Sequence, residues 1–147
     1  MGWSTGALAA YAQASENKLG AAILISPYFV TRVSMTAAGV KHDIPEPYEK
    51  PKVASPMMTP KFTSNLFYKG IKVSKLKVDA RTPGLVLLAG ERDPWVSAAK
   101  TNLLMLENAS HFLVYYFEHA LHGIHNESSL AIRQQSHDTI VNFLLRL

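Results

Sequence analysis

The chain has 147 residues, 48% of them hydrophobic and 18% charged, with no cysteine and a formal net charge of +4. That composition excludes a disordered segment and a disulfide-stapled scaffold, and it fits one domain able to bury about 70% of the surface of its unfolded chain. The longest apolar stretch, Ala21 to Val30, is interrupted by Ser26 and Pro27 and falls short of the roughly 20 residues that cross a bilayer. No basic region precedes an apolar one at the start, so a signal peptide is not expected and a cytoplasmic setting is.

Gly6 to Lys18 is free of β-branched residues and sets Ala7, Leu8, Ala10, Tyr11 and Ala14 at helical spacing, which predicts a helix starting directly after Ser4. Ala21 to Ile25 is a continuous apolar run closed by Ser26-Pro27, the pattern of a strand buried on both faces in a parallel sheet. From Tyr28 to Arg81 no clean period is visible, and six of the eight prolines lie between Pro27 and Pro60. This stretch reads as an excursion from the sheet, with small apolar clusters at Met57-Met58, Phe62 and Leu66-Phe67-Tyr68. Order returns with a second buried strand at Leu85 to Ala89, a crossover helix at Ala98 to Glu107 and a third strand at Phe112 to Phe117. A polar, histidine-rich loop follows at His119 to Glu127, and Leu130 to Leu147 returns to helical spacing. The alternation is that of an α/β domain with parallel strands flanked by helices.

Positive charge concentrates between Lys41 and Arg81, where Lys50, Lys52, Lys61, Lys69, Lys72, Lys75 and Lys77 outnumber Asp43, Glu46, Glu49 and Asp79. A nucleic-acid surface needs such charges on a stable face interleaved with stacking aromatics, or within a recognisable module. Neither is evident, and no nucleic-acid partner is expected. The same lysines suit a modest peripheral attraction to anionic lipid headgroups.

Gly2-Trp3-Ser4-Thr5-Gly6 is a G-x-S-x-G motif immediately ahead of the first predicted helix. In a nucleophile elbow the chain turns sharply from strand to helix, and side chains at the two glycine positions are expected to collide with neighbouring backbone. A serine nucleophile needs a base to take its proton and a carboxylate to orient that base. Asp93 lies just past the C-terminal end of the second strand, where sites of parallel sheets assemble, and Pro94 stiffens its turn. Glu91 is the competing carboxylate. Among the histidines, His122 and His125 stand in the loop after the third strand, whereas His42, His111 and His137 read as surface or hydrogen-bonded residues. The spacing of His119, His122 and His125 also admits a three-imidazole zinc site if the loop were folded to converge the rings. No cofactor is required by the serine reading.

These residues, together with A-A-I-L-I-S-P-Y-F, T-P-G-L-V-L-L-A-G-E-R-D-P-W-V and Y-Y-F-E-H-A-L-H-G-I-H-N-E, resemble the α/β-hydrolase fold. The likeness is strongest to the monoacylglycerol lipase and lysophospholipase group of serine hydrolases. The resemblance implies Ser4 as nucleophile, Asp93 as acid, His122 as base and the backbone N–H of Thr5 as oxyanion donor. His122 is preferred over His125 because Ile124 and Glu127 follow it at the group's spacing, with Arg133 in the next helix. It implies a carboxylic-ester substrate of lipid-like character, with residues 27–81 as a cap-like insertion between two sheet strands. In that fold the elbow comes about halfway along, so residues 1–147 correspond to a C-terminal half: a partial domain lacking the upstream strands and the second oxyanion donor, whose loss typically costs ~10²–10³ in rate. A missing N-terminal half or self-association through an exposed sheet edge would follow. The contrasting expectation is an inactive fragment that acts through that edge.

Overall fold

A computed structural model of the chain describes residues 1–30, 32–36, 39–42, 60–90 and 93–147. Four strands, β1 (Gly2–Trp3), β2 (Ala22–Ile25), β5 (Gly84–Ala89) and β6 (Leu113–Phe117), form one parallel sheet in the order β1-β2-β5-β6. Strands β3 (Val33–Thr36) and β4 (Gly39–His42) pair antiparallel as a separate hairpin. The helices are α1 (Thr5–Ser15), α2 (Pro60–Ser74), α3 (Ala98–Asn108) and α4 (Leu130–Leu144), with a 3₁₀ turn at Ile124–Asn126.

The central strands β2 and β5 are buried along their whole length. Successive side chains therefore serve opposite faces of the sheet. Leu24, Val86 and Leu88 join Leu8 and Tyr11 of α1 and Met105 of α3 in one core, into which Leu66 and Val73 of α2 also pack. Ile23, Ile25, Leu85 and Leu87 join Ile124 and Phe143 of α4 in the other. Each such side chain stabilises the fold by about 1.5–3 kcal/mol on full burial. Tyr11 ties the first core to the end of α2, its hydroxyl donating to the Leu76 carbonyl at 2.8 Å. Burial pushes the Tyr11 phenol up to about 12.

Three regions depart from the sequence expectations. With Met1 alone ahead of Gly2, no strand is predicted before Ser4; the structure forms β1 because Gly2 and Trp3 extend against Leu24 and Ile25. Within the supposedly irregular stretch from Tyr28 to Arg81, the structure has the β3–β4 hairpin and the 15-residue α2. Among the described residues of α2 the buried positions are Gly70 and Ser74, which break up the apolar row that Leu66 and Val73 pack against the core. Gly70 allows this close approach, since a Cβ there would stand 2.8 Å from the Tyr28 carbonyl oxygen. The loop after β6 contains the 3₁₀ turn, which brings Ile124 into the core. No helix among the described residues is long and apolar enough to cross a membrane.

Candidate active site

Ser4, Asp93 and His122 all follow the C-terminal ends of sheet strands, β1, β5 and β6 respectively. This is the edge at which loops of a parallel sheet converge. Ser4 sits at φ 53°, ψ −117°, a left-handed φ that costs a non-glycine residue on the order of 1–3 kcal/mol. The strain is held by backbone bonds on both sides: the Ser4 N–H donates to Ile25 O at 2.9 Å, and Ser4 O accepts from the N–H groups of Ala7 and Tyr28. Ser4 occupies the N-cap of α1 but makes no side-chain capping bond. Its Oγ instead lies 2.8 Å from His122 Nε2.

His122 Nδ1 lies 2.8 Å from Asp93 Oδ2, with the Asp93 side chain 1% and the His122 side chain 12% exposed. The other carboxylate oxygen, Asp93 Oδ1, accepts from the backbone N–H groups of Trp95 (2.8 Å) and Val96 (3.1 Å). Asp93 is thus both a turn-former and the partner of the imidazole. One oxygen fixes the turn, and the other holds Nδ1 so that Nε2 points at Ser4.

The histidine loop has two further anchors. Glu127 is buried, its Oε2 accepting from the Leu121 N–H at 2.6 Å and its Oε1 from the N–H and hydroxyl of Ser128. Trp3 donates its indole Nε1–H to the His122 carbonyl at 3.1 Å, and its ring packs at 5.8 Å from that of His122 and 5.2 Å from that of His125. Burial, with smaller contributions from His137 and His122, pushes the His125 imidazole below its ordinary range and so favours the neutral ring.

An open cleft of about 330 Å³ lies over Ser4, with Trp3, Thr5, Tyr28, Leu66, Trp95 and His122 around it. Burial, and secondarily the charge of Asp93, pushes the Tyr28 phenol up, favouring the neutral form. Thr5 is the first residue of α1, so its N–H has no partner inside the helix and lies at the positive end of the helix dipole, beside the nucleophile candidate.

Of the residues singled out in the sequence, Ser4, Asp93 and His122 are brought into one hydrogen-bonded chain with Thr5 adjoining. Glu91 lies outside the described residues. His125 packs on Trp3, and His111 bonds the Thr82 carbonyl at 3.0 Å. Among the described residues no group of three or more histidine, aspartate or glutamate side chains converges as a metal site, so His119, His122 and His125 do not form the three-imidazole arrangement. Of the apolar clusters noted in the excursion, Leu66 borders the cleft and Phe67 packs on Tyr68, while Met57 and Met58 lie outside the described residues.

The expected role of the elbow glycines holds for one of them only. A Cβ on Gly2 would fall onto the Gly6 carbonyl and stand 2.7 Å from Ala7 N, whereas a Cβ on Gly6 meets nothing within 4 Å. The difference is geometric: Gly2 faces the first turn of α1, and Gly6 faces away from the packed sheet.

Sequence reasoning passed over the contributions of Trp3, Tyr28 and Trp95. Trp3 was within reach as the aromatic next to Ser4; Tyr28 and Trp95 each directly follow a proline after a strand end, which turns them toward the same cleft. No protein-family model matches the chain, and no curated protein matches it in sequence.

Proposed function

We propose that the protein is a serine hydrolase of carboxylic esters, of the α/β-hydrolase kind that its motifs resemble. The observation that carries this is the Ser4–His122–Asp93 relay, with 2.8 Å at each link and a left-handed φ at the serine. His122 Nε2 takes the Ser4 proton as Oγ attacks the ester carbonyl. Asp93 orients the ring and stabilises the imidazolium that forms, remaining ionised itself. The Thr5 N–H stabilises the oxyanion. Collapse of the tetrahedral intermediate breaks the bond to the alkoxy oxygen, which leaves as the alcohol with the proton from His122, and an acyl-Ser4 ester remains. Water, deprotonated by His122, then releases the acid and restores Ser4. Two tryptophans and a leucine around the cleft favour an apolar, lipid-like acyl group.

The test is p-nitrophenyl ester hydrolysis across a series of acyl lengths, followed for a burst of nitrophenol. A burst stoichiometric with protein that grows from acetate to longer acyl chains supports the reading. Turnover that persists in Ser4→Ala refutes it.

A second reading is favoured by β1, which has one strand neighbour among the described residues and carries a Trp3 that is 47% exposed. In that reading the edge takes a strand from a second copy, and the chain acts by self-association. Light scattering after size exclusion separates the two: a monomer that turns over ester excludes it.

A further inference from the structure

Helix α2 carries a surface that ester hydrolysis at Ser4 does not use. From residue 60 to 78 the chain contains five lysines, Lys61, Lys69, Lys72, Lys75 and Lys77, and no acidic residue. Lys61, Asn65, Tyr68, Lys72 and Lys75 follow one another at steps of four, three, four and three, which places them in one stripe along the helix and its C-terminal extension. Every residue of that stripe is exposed, Tyr68 at 68%. The opposite side holds Gly70 and Ser74, both buried. Among the described residues no ion pair holds any of these lysines.

Beside the stripe runs an apolar groove of about 510 Å³ between α1 and α2, with Leu8, Ala12, Val73 and Leu76 along it and Lys69 and Lys72 bordering it. Thr5 and Leu66 border both this groove and the cleft over Ser4, so the two adjoin.

We infer that this face of α2 docks the protein on an anionic lipid bilayer, with the groove opening toward the acyl layer. Charge alone would suit any polyanion, and three features select the bilayer. The stripe contains lysine and no arginine, so it offers point charges rather than the planar forks that grip individual phosphates of nucleic acid. Its exposed aromatic is a tyrosine, a side chain enriched at the membrane–water boundary. An apolar groove bordered by lysines matches an amphiphile, whose headgroup meets the charges and whose tail meets the groove. Docking itself does not depend on chemistry at Ser4. Only delivery of an ester through the groove to the cleft rests on the hydrolase reading.

The experiment is co-sedimentation of the full chain with phosphatidylcholine vesicles containing 0 or about 30% phosphatidylserine in ~0.15 M salt, repeated at ~1 M salt, where the Debye length falls to about 3 Å. Binding to the anionic vesicles, with little to neutral ones and release at high salt, is expected. Each lysine near such a surface contributes about fivefold in partitioning, so Lys61→Gln/Lys72→Gln/Lys75→Gln should bind on the order of 100-fold more weakly. The matching triple arginine variant should retain binding. All three substituted sites are exposed, and an unchanged circular dichroism spectrum checks each variant's fold. Ser4→Ala should sediment like the parent chain, so loss of hydrolysis and loss of docking are read separately. Equal binding to neutral vesicles, undiminished binding of the glutamine variant, or no sedimentation with anionic vesicles overturns the inference; tight binding to a single-stranded RNA in that last case would make the face a nucleic-acid surface instead.

Discussion

Asp93 follows β5, which has a strand on each side, whereas Ser4 follows β1, a two-residue strand paired among the described residues with β2 alone. On the acid side the supports are redundant: two backbone N–H groups fix Asp93, and Glu127 clamps the loop that carries His122. On the nucleophile side a strained serine depends on a few backbone bonds and on the Trp3 indole. Both sides meet at the same 2.8 Å spacing. The carboxylate is therefore set inside the sheet, whereas the serine and the base both follow edge strands, β1 and β6, the base being held in addition by Asp93 and by the loop that Glu127 clamps. Substitutions that leave the catalytic atoms in place should be felt more strongly on the serine side.

The largest effect short of removing Ser4 is expected from Asp93→Asn. Its amide can present a donor where Nδ1–H must be accepted, which favours the wrong tautomer of His122, and ester turnover should fall at least ~10³-fold. A drop of less than tenfold in kcat would transfer the role to Glu91.

Gly2→Ala and Gly6→Ala probe the margin directly. The first forces a methyl group onto the Gly6 carbonyl, and a displaced Ser4 should cost at least ~10²-fold in turnover. The second places its methyl in open space at the start of α1, where alanine suits a helix, and stability should change by no more than about 0.5 kcal/mol. Equal losses in the two variants would mean that the elbow is not held by the Gly2–α1 contact.

Trp3→Phe keeps most of the aromatic packing but removes the bond to the His122 carbonyl. A net hydrogen bond is worth about 1 kcal/mol, so turnover is expected to fall roughly fivefold, with the acyl-length preference shifted because Trp3 also borders the cleft. An unchanged rate would show that the glutamate clamp suffices.

The smallest expected effect is on the pH dependence of stability. The folded-state pKa of His125 is lowered, by burial first and by His137 and His122 second. Below the ordinary histidine value of 6.5 the unfolded chain takes up a proton that the folded ring resists. Its contribution is therefore fully present above pH 6.5 and is lost as pH falls through the lowered value. Urea midpoints of the parent chain and His125→Gln, compared at pH 7.5 and 5.5, should show a smaller acid loss in the variant. Parallel losses would place the titration elsewhere.

The sheet was legible because its strands are short continuous apolar runs, Ala21 to Ile25 and Leu85 to Ala89, each ended by a turn signal. Helix α2 was hidden because Gly70 and Ser74 interrupt the apolar row of Leu66 and Val73 on the face it turns to the core. At the site, Ser4 was marked by its flanking glycines and Asp93 by the strand end and Pro94. The choice of His122 over His125, three residues apart, leaned on the resemblance. In the structure the path of the loop decides it: His122 meets Ser4 and Asp93, and His125, three residues on, meets Trp3. Trp3 acts on the His122 carbonyl 119 residues away, which no local pattern encodes, and Glu127 was marked only through the resemblance, its clamp on the Leu121 N–H being visible in the structure alone.

The central claim is that Ser4 is an activated nucleophile, and intact-mass analysis after treatment with a fluorophosphonate probe tests it most directly. One adduct per chain, absent in Ser4→Ala and strongly slowed in Asp93→Asn, is the expected result. A soluble, folded chain that takes no adduct, or an adduct that persists in Ser4→Ala, would contradict it.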